Sequence, residues 1–326
     1  MLVLGLKGSP RKKGNTRHLL SLFMHQAEEM GFETKTIDAG EVNCKSCIGC
    51  ENCERTGFCV FNDDIMEKIF PLFREADIIV LSTPVYFYSV SGQIKPIIDR
   101  TQTLWSRKYR LRLKDPKSSF RKGILLSTGA TKGINLFDGI NLTAKYFFDA
   151  AGAEFSDKLC YRMVDKPGDI KQIPGLIDDI KALSNRVLLP FKDRKKILFA
   201  CRENAGRSQM AAAFAANISG GGIDVVSGGS EPVEKINTDA MRVMAEKGID
   251  IAFSKPSSIG DAIGKTVPDM IVTMGCKEEC PFISGCKRLE WDFPDPVDRS
   301  LSEIRQIRDS IEKKVKDLVG EIVPSV

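Results

Sequence analysis

Short apolar runs alternate with stretches whose apolar residues recur at helical spacing. Residues 2–7 form one such run, of the length of a buried strand. A polar, glycine-containing stretch covers 8–16. Residues 17–30 then place Leu19, Leu20, Phe23 and Ala27 on or near one helical face. The same pattern predicts strands at 32–37, 77–82, 123–127 and near 159–163, with helices at 63–76, 135–151 and 170–188. Residues 190–196, Pro-Phe-Lys-Asp-Arg-Lys-Lys, break the pattern and read as a short linker. Beyond them come strands at 197–200, 223–227 and 269–274. Helices follow from 209, over 238–247 with Gly248 as its cap, and over 302–319. Strands apolar along their whole length belong to parallel sheets covered on both faces. The expected fold is therefore α/β: two doubly wound parallel-sheet domains, 1–190 and 195–326, with ligands at the carboxyl ends of the strands.

A length of 326 residues agrees with two domains. The net charge of +5 is a small excess that suits anionic ligands but does not suggest a nucleic-acid binder. The Arg- and Lys-rich stretch 107–122 reads as a solvated face. No stretch is long and apolar enough to span a membrane, and the first residues lack a signal-peptide core, so a cytoplasmic protein is expected. Five of the ten cysteines crowd into residues 44–59, and others stand at 201, 276, 280 and 286. Clustering of this kind points to metal or redox chemistry more than to a disulfide framework.

The most informative stretch is Cys201-Arg202-Glu203-Asn204-Ala205-Gly206-Arg207-Ser208, between an apolar run and an alanine-rich helix. A strand, a tight loop and a helix N-terminus present backbone N–H groups to a tetrahedral oxyanion. Arg207 can grip two of its oxygens, and the positive field favours the nucleophilic thiolate of Cys201. The plainer alternative is a buried structural cysteine beside a surface arginine. The run from Asn204 to Met210, with Ser227-Gly228-Gly229-Ser230-Glu231-Pro232 and Lys247-Gly248-Ile249-Asp250, resembles the arsenate reductases built on the low-molecular-weight tyrosine phosphatase fold. The resemblance implies Cys201 as nucleophile. It implies an oxyanion held by Asn204, Gly206, Arg207 and Ser208. It also implies Asp295, in Trp291-Asp292-Phe293-Pro294-Asp295-Pro296, as the acid that protonates the leaving oxygen, with Asp292 in reserve.

A reductase also needs further thiols. Cys276 and Cys280, four residues apart on a helical turn, would have Cα atoms about 6 Å apart, within disulfide range. Their spacing differs from that of relatives that recycle through thioredoxin, so zinc binding or simple burial stays open, and Cys286 is a further candidate.

In the first half, Gly8-Ser9-Pro10-Arg11 and Gly14-Asn15-Thr16 form a polar loop between strand and helix, suited to a phosphate monoester. Thr83-Pro84-Val85-Tyr86-Phe87-Tyr88 follows a strand; its aromatics either line a flat ring system or pack as core. These runs, with Gly92-Gln93-Ile94-Lys95, resemble the NAD(P)H-dependent FMN reductases, of flavodoxin-like fold. The resemblance implies FMN, with its phosphate at Ser9, Arg11, Asn15 and Thr16. The isoalloxazine would lie near Thr83, Pro84, Val85, Tyr86, Thr128 and Gly129. Cys47-x2-Cys50-x2-Cys53-x5-Cys59 is a compact ligand set that lets one loop wrap a cubane. It looks like the spacing in archaeal iron–sulfur flavoproteins, which hold a 4Fe–4S cluster; Cys44 is then a spare or substitute ligand.

Together these readings describe a fused redox enzyme that reduces arsenate to arsenite, with the flavin as donor fed by NAD(P)H or a ferredoxin, or with recycling by thioredoxin or a small thiol. The alternatives are a tyrosine phosphatase joined to an independent flavoprotein, and a non-catalytic oxyanion or redox sensor. Homo-oligomerisation through the flavin domain is an expectation from resemblance alone.

Overall fold

Five strands of the first half, β1 (Leu2–Lys7), β2 (Glu33–Asp38), β3 (Ile78–Pro84), β4 (Lys122–Thr128) and β5 (Glu154–Tyr161), lie side by side in the order β2-β1-β3-β4-β5, all parallel. That is the flavodoxin-like order, which reverses direction between β1 and β3 and opens a ligand crevice there. The structure is a computed structural model and describes residues 1–264, 266–275 and 284–323. The helices of this unit are α1 (Asn15–Glu29), α2 (Asn52–Thr56), α3 (Phe70–Glu75), α4 (Lys95–Arg100), α5 (Gln102–Tyr109), α6 (Asp138–Ala150) and α7 (Leu176–Leu188).

Alternate residues of the strands face opposite ways, and in β1, β3 and β4 both sets are buried. Val3, Ile78, Val80, Ile124 and Leu126 pack with Leu19, Leu20 and Phe23 of α1 and with Ile180 and Leu183 of α7. On the opposite side Phe73 of α3 meets Phe147 of α6 edge-on, ring centroids 5.9 Å apart. The helix expected over 170–188 is broken at Ile173-Pro174-Gly175, where proline and a glycine at φ +74° end a short 3-10 turn before α7 begins.

In the basic stretch 107–122, Arg110, Arg112 and Lys114 are exposed as expected of a solvated face, but two arginines depart from it. Arg107 and Arg121 are buried. Arg121 donates from Nε to the Ala76 carbonyl (2.8 Å), from Nη1 to those of Ala151 and Gly152 (3.1 Å each), and from Nη2 to that of Arg74 (3.1 Å). One guanidinium thus satisfies carbonyls from two separate turns. Replacing it by a chain of similar length without the head group, Arg121→Met, leaves several of them unpaired. We expect it to destabilise the unit by roughly 3 kcal/mol or more. A urea midpoint within error of wild type would refute this role.

The second unit holds β6 (Lys195–Cys201), β7 (Ile223–Gly229), β8 (Met270–Met274) and β9 (Lys287–Trp291), parallel in the order β7-β6-β8-β9. Its helices are α8 (Arg207–Ser219), α9 (Thr238–Glu246), α10 (Ile259–Ile263) and α11 (Leu301–Ile322). α11 opens on a reciprocal cap between Ser300 and Glu303. It buries Ile304, Ile307, Ile311 and Val315 in a core shared with Phe199, Met210 and Phe214.

β9 escapes the apolar pattern because it is an edge strand, with Lys287, Arg288 and Glu290 exposed. The unit also includes Leu113–Ser119 from far upstream, a segment that the expected boundaries of 1–190 and 195–326 assign to the first domain. Its Lys114 N–H donates to the Gly248 carbonyl (2.7 Å), and the Asp250 N–H donates to the Lys114 carbonyl (2.8 Å). Backbone pairing of this kind leaves no hydrophobic signature for a sequence pattern to reveal. Among the described residues no helix is long and apolar enough to cross a membrane.

Candidate active site

β6 ends at Cys201 and α8 begins at Arg207, so the loop between them is wound tightly at a strand's carboxyl end. Its shape follows from where its carbonyls go. Those of Cys201, Arg202, Glu203 and Ala205 accept from the N–H groups of Ser230 (3.1 Å), Glu231 (2.8 Å), Val233 (3.2 Å) and Asn237 (3.0 Å). In a trans peptide the N–H points opposite to the carbonyl. The N–H groups of residues 202, 203, 204 and 206 therefore face away from that segment and into the loop, forming an anion nest at a helix N-terminus. Gly229 is required beside it, because a Cβ there would lie 2.5 Å from the Arg202 carbonyl oxygen.

Asn204 takes the left-handed conformation that the loop demands, at φ 53°, which asparagine tolerates better than most residues. Its side chain braces the loop from within. Oδ1 accepts from Gln209 Nε2 (3.1 Å) and from the Ser257 N–H (2.9 Å), and Nδ2 donates to Ser208 Oγ (2.8 Å). With its oxygen so occupied, the Ser208 hydroxyl can turn its hydrogen to Cys201 Sγ, 3.0 Å away. The side chains of Asn204 and Ser208, both expected at the oxyanion, are thus engaged within the loop. Both side chains are buried behind the loop, one shaping it and the other supporting the sulfur.

Cys201, Glu203, Ala205, Gly206, Arg207, Asn237, Asp295, Pro296 and Val297 line a single cavity. Arg207 is almost wholly buried; it donates from Nη1 to the Phe293 carbonyl (3.3 Å) and from Nη2 to Asp295 Oδ2. Gly275, at φ +77°, permits this pose, since a Cβ there would stand 2.6 Å from Nη1. The other carboxylate oxygen of Asp295 accepts from the Val297 N–H (3.1 Å), and the side chain is half exposed. Asp292 is exposed and is not among the cavity's lining residues. Glu203 and Asn237, which sequence reasoning missed, do line it. Position within the loop offered a hint for Glu203, whereas Asn237 is distant in sequence and also caps α9 through Ala240 N–H (2.9 Å).

Cys276 and Cys280 lie outside the described residues. The thiol of Cys286 is pushed up, first by burial and then by Asp269. A thiol so placed offers less of the nucleophilic thiolate.

In the first unit, Ser9, Asn15 and Thr16 are buried at the turn from β1 to α1. Thr16 Oγ1 is buried without a hydrogen-bond partner. An orphaned hydroxyl at a helix N-terminus fits an FMN phosphate. Asn15 differs from expectation: its amide is held by the far loop, donating to the Lys166 carbonyl (2.9 Å) and accepting from the Gly168 N–H (2.9 Å). Arg11 donates to the Asp165 carbonyl (2.8 Å). Of the residues expected at the flavin ring, Thr83 and Thr128 are buried. Thr83 Oγ1 accepts from the Ser91 N–H (3.2 Å), and the Val85 N–H donates to the Thr128 carbonyl (3.0 Å). Pro84 is partly covered, Tyr86 is exposed, and Leu136 fills the space beside Gly129.

Among the described residues no three metal-binding side chains stand together as a ligand set. Cys47 and Cys50 are exposed. Cys53 rides on α2, where its Sγ accepts from Ser106 Oγ at 3.5 Å. Cys59, half-buried, lies beyond the helix-ending Gly57. The four sulfurs have the number and softness that iron would need, and this arrangement does not gather them.

A thiol at the foot of an anion nest, with a guanidinium and a carboxylate beside it on a parallel sheet, defines a class: enzymes that handle tetrahedral oxyanions through a cysteine. Comparison with known proteins is consistent with that class. A family model for low molecular weight phosphotyrosine protein phosphatase matches residues 196–325, and one for NADPH-dependent FMN reductase matches residues 1–132. Arsenate reductase 2 of Staphylococcus saprophyticus is 36% identical over 127 residues, 38% of this chain and 95% of that protein. An iron-sulfur flavoprotein of Methanocaldococcus jannaschii is 40% identical over 104 residues, 32% of this chain and 53% of that protein. Another, from Methanosarcina thermophila, is 33% identical over 132 residues, covering 40% and 65%. The chain spans about half to two-thirds of those flavoproteins but nearly all of the arsenate reductase. In its second unit the chain belongs to the arsenate reductase family, and its first unit is similar to the NADPH-dependent FMN reductases and iron-sulfur flavoproteins.

Proposed function

We propose that the protein reduces arsenate to arsenite at Cys201, with electrons supplied through flavin bound to the first unit. The observation that carries this reading is the single cavity lined by Cys201, Gly206, Arg207 and Asp295. The thiolate of Cys201 attacks arsenic, an As–O bond breaks, and one proton turns the departing hydroxide into water. Loop N–H groups and Arg207 hold the charge of the remaining oxygens. Asp295 is the proposed proton donor, free to act once the anion has drawn Arg207 from it. A second thiol then attacks the Cys201 sulfur. The S–As bond breaks, its electron pair stays with arsenic, and arsenite leaves as a disulfide forms. Cys276 is the proposed second thiol and Cys280 its resolving partner.

FMN, when bound at Ser9 and Thr16, supplies two-electron reducing equivalents that can reopen such a disulfide. NAD(P)H or a ferredoxin would in turn feed the flavin, with thioredoxin or a small thiol as the external route. The spacing of Cys47, Cys50, Cys53 and Cys59 supports a 4Fe–4S cluster formed on iron loading, with movement of the loop.

A single-turnover experiment tests the reading. The FMN-loaded protein is reduced anaerobically, excess reductant is removed, and arsenate is added. Arsenite appearing with flavin re-oxidation is the expected result. Arsenite with the flavin left reduced would break the link between the units' chemistries. No arsenite, together with steady hydrolysis of an aryl phosphate, would replace the proposal with a phosphatase, as the family model's description also suggests.

A further inference from the structure

Among the described residues two carboxylates line the cavity around Cys201, and they are in different situations. Asp295 is ion-paired to the buried guanidinium of Arg207. Its Oδ2 is engaged by that guanidinium and must be released before it can meet a bound anion. Glu203 sits half-buried on the loop itself, two residues after the nucleophile, and lines the same cavity. No ion pair or hydrogen bond engages its side chain among the described residues. The nearest basic residue in sequence, Arg202, is committed to Glu231 at 2.9 Å.

The reaction proposed above needs two protons at different moments. The first step converts the thiolate, the dihydrogen arsenate monoanion and one proton into water and a singly charged cysteinyl arsenate adduct. In the second, the adduct and a thiol give a disulfide and the dihydrogen arsenite monoanion, which takes one more proton to leave as neutral arsenious acid. By then Asp295 has given up its proton, and Arg207 can reclaim it as a partner.

We propose that Glu203 is the second proton-handling group of this cavity, serving the step in which arsenite departs. This rests on the arsenate reading. Among the described residues, the other charged or titratable groups facing the cavity are Cys201, Arg207 and Asp295, with the Arg202–Glu231 pair adjoining the loop.

The test measures arsenite formation against pH for the wild-type chain, Glu203→Gln, Glu203→Asp and Asp295→Asn. Oxyanion affinity is measured in parallel, by phosphate calorimetry on a Cys201→Ser background with and without Glu203→Gln. We expect Glu203→Gln to lower kcat about 10²-fold and to remove one ionisation from its pH profile, with phosphate affinity changed less than about threefold. Glu203→Asp should restore most of both. Asp295→Asn should slow the first loss of alkylatable Cys201 thiol on mixing with arsenate, whereas Glu203→Gln should not. A Glu203→Gln profile identical to wild type would overturn the assignment while leaving the arsenate reading intact. So would a loss of rate matched by an equal loss of phosphate affinity, which would make Glu203 a binding group only. A wild-type chain that forms no arsenite would remove both.

Discussion

Cys201→Ser should lower arsenite formation by at least about 10⁴-fold, the scale on which enzymes lose rate when a nucleophile that works with its neighbours is removed. The hydroxyl is nearly isosteric with the thiol but is not ionised at neutral pH, and it cannot form the disulfide that carries the two electrons. The loop should survive the change. Its shape is fixed by the four carbonyl bonds to residues 230–237 and by the Asn204 amide, none of which uses the sulfur. Phosphate or arsenate binding by calorimetry should therefore stay within severalfold of wild type. Arsenite formation above one-hundredth of the wild-type rate would refute Cys201 as the nucleophile.

Arg207→Lys should cost about 10³-fold in kcat/KM, close to the loss from deleting an oxyanion-stabilising group. A lysine keeps the charge but offers a single point where the guanidinium presents a planar fork. It would also lose the donation to the Phe293 carbonyl and sit loosely in the space that Gly275 leaves open. Because the lysine still offers a full positive charge to a bound anion but not the fork, the phosphate affinity of the variant should fall by less than its turnover. Equal losses in binding and turnover would show instead that Arg207 only anchors the ground state.

The sequence made the Cys201 loop legible because three signals coincide there: an apolar strand, a polar loop with glycine, and a helix former rich in alanine. The two parallel sheets were equally plain, since strands such as Ile78–Pro84 are buried almost throughout and leave unbroken apolar runs. Other features follow rules that a linear pattern does not record. Arg100, Arg107 and Arg121 look like surface charge in the chain, yet each is buried, because a guanidinium can satisfy several carbonyls at once. The edge strand Lys287–Trp291 carries charge because one side of it meets water. The division of labour within the loop was also hidden. Asn204 and Ser208 belong to the oxyanion motif, but which of their atoms face inward depends on Ser257 and Gln209. The cysteine spacing spoke for iron, whereas the folded loop holds Cys53 against Ser106 and leaves Cys47 and Cys50 outside.

The strap Leu113–Ser119 changes what it would mean to take this protein apart. The chain passes from one unit to the other at 112/113, 119/120 and 193/194. A gene cut at the obvious junction near Pro190 would yield a downstream fragment missing its own seven-residue strap, with the Gly248 carbonyl and the Asp250 N–H left bare. The upstream fragment would keep that strap with nowhere to put it. Inactivity of such halves would then say little about whether their chemistries depend on each other. A fair dissection would graft residues 113–119 back onto the second unit and bridge 112 to 120 in the first.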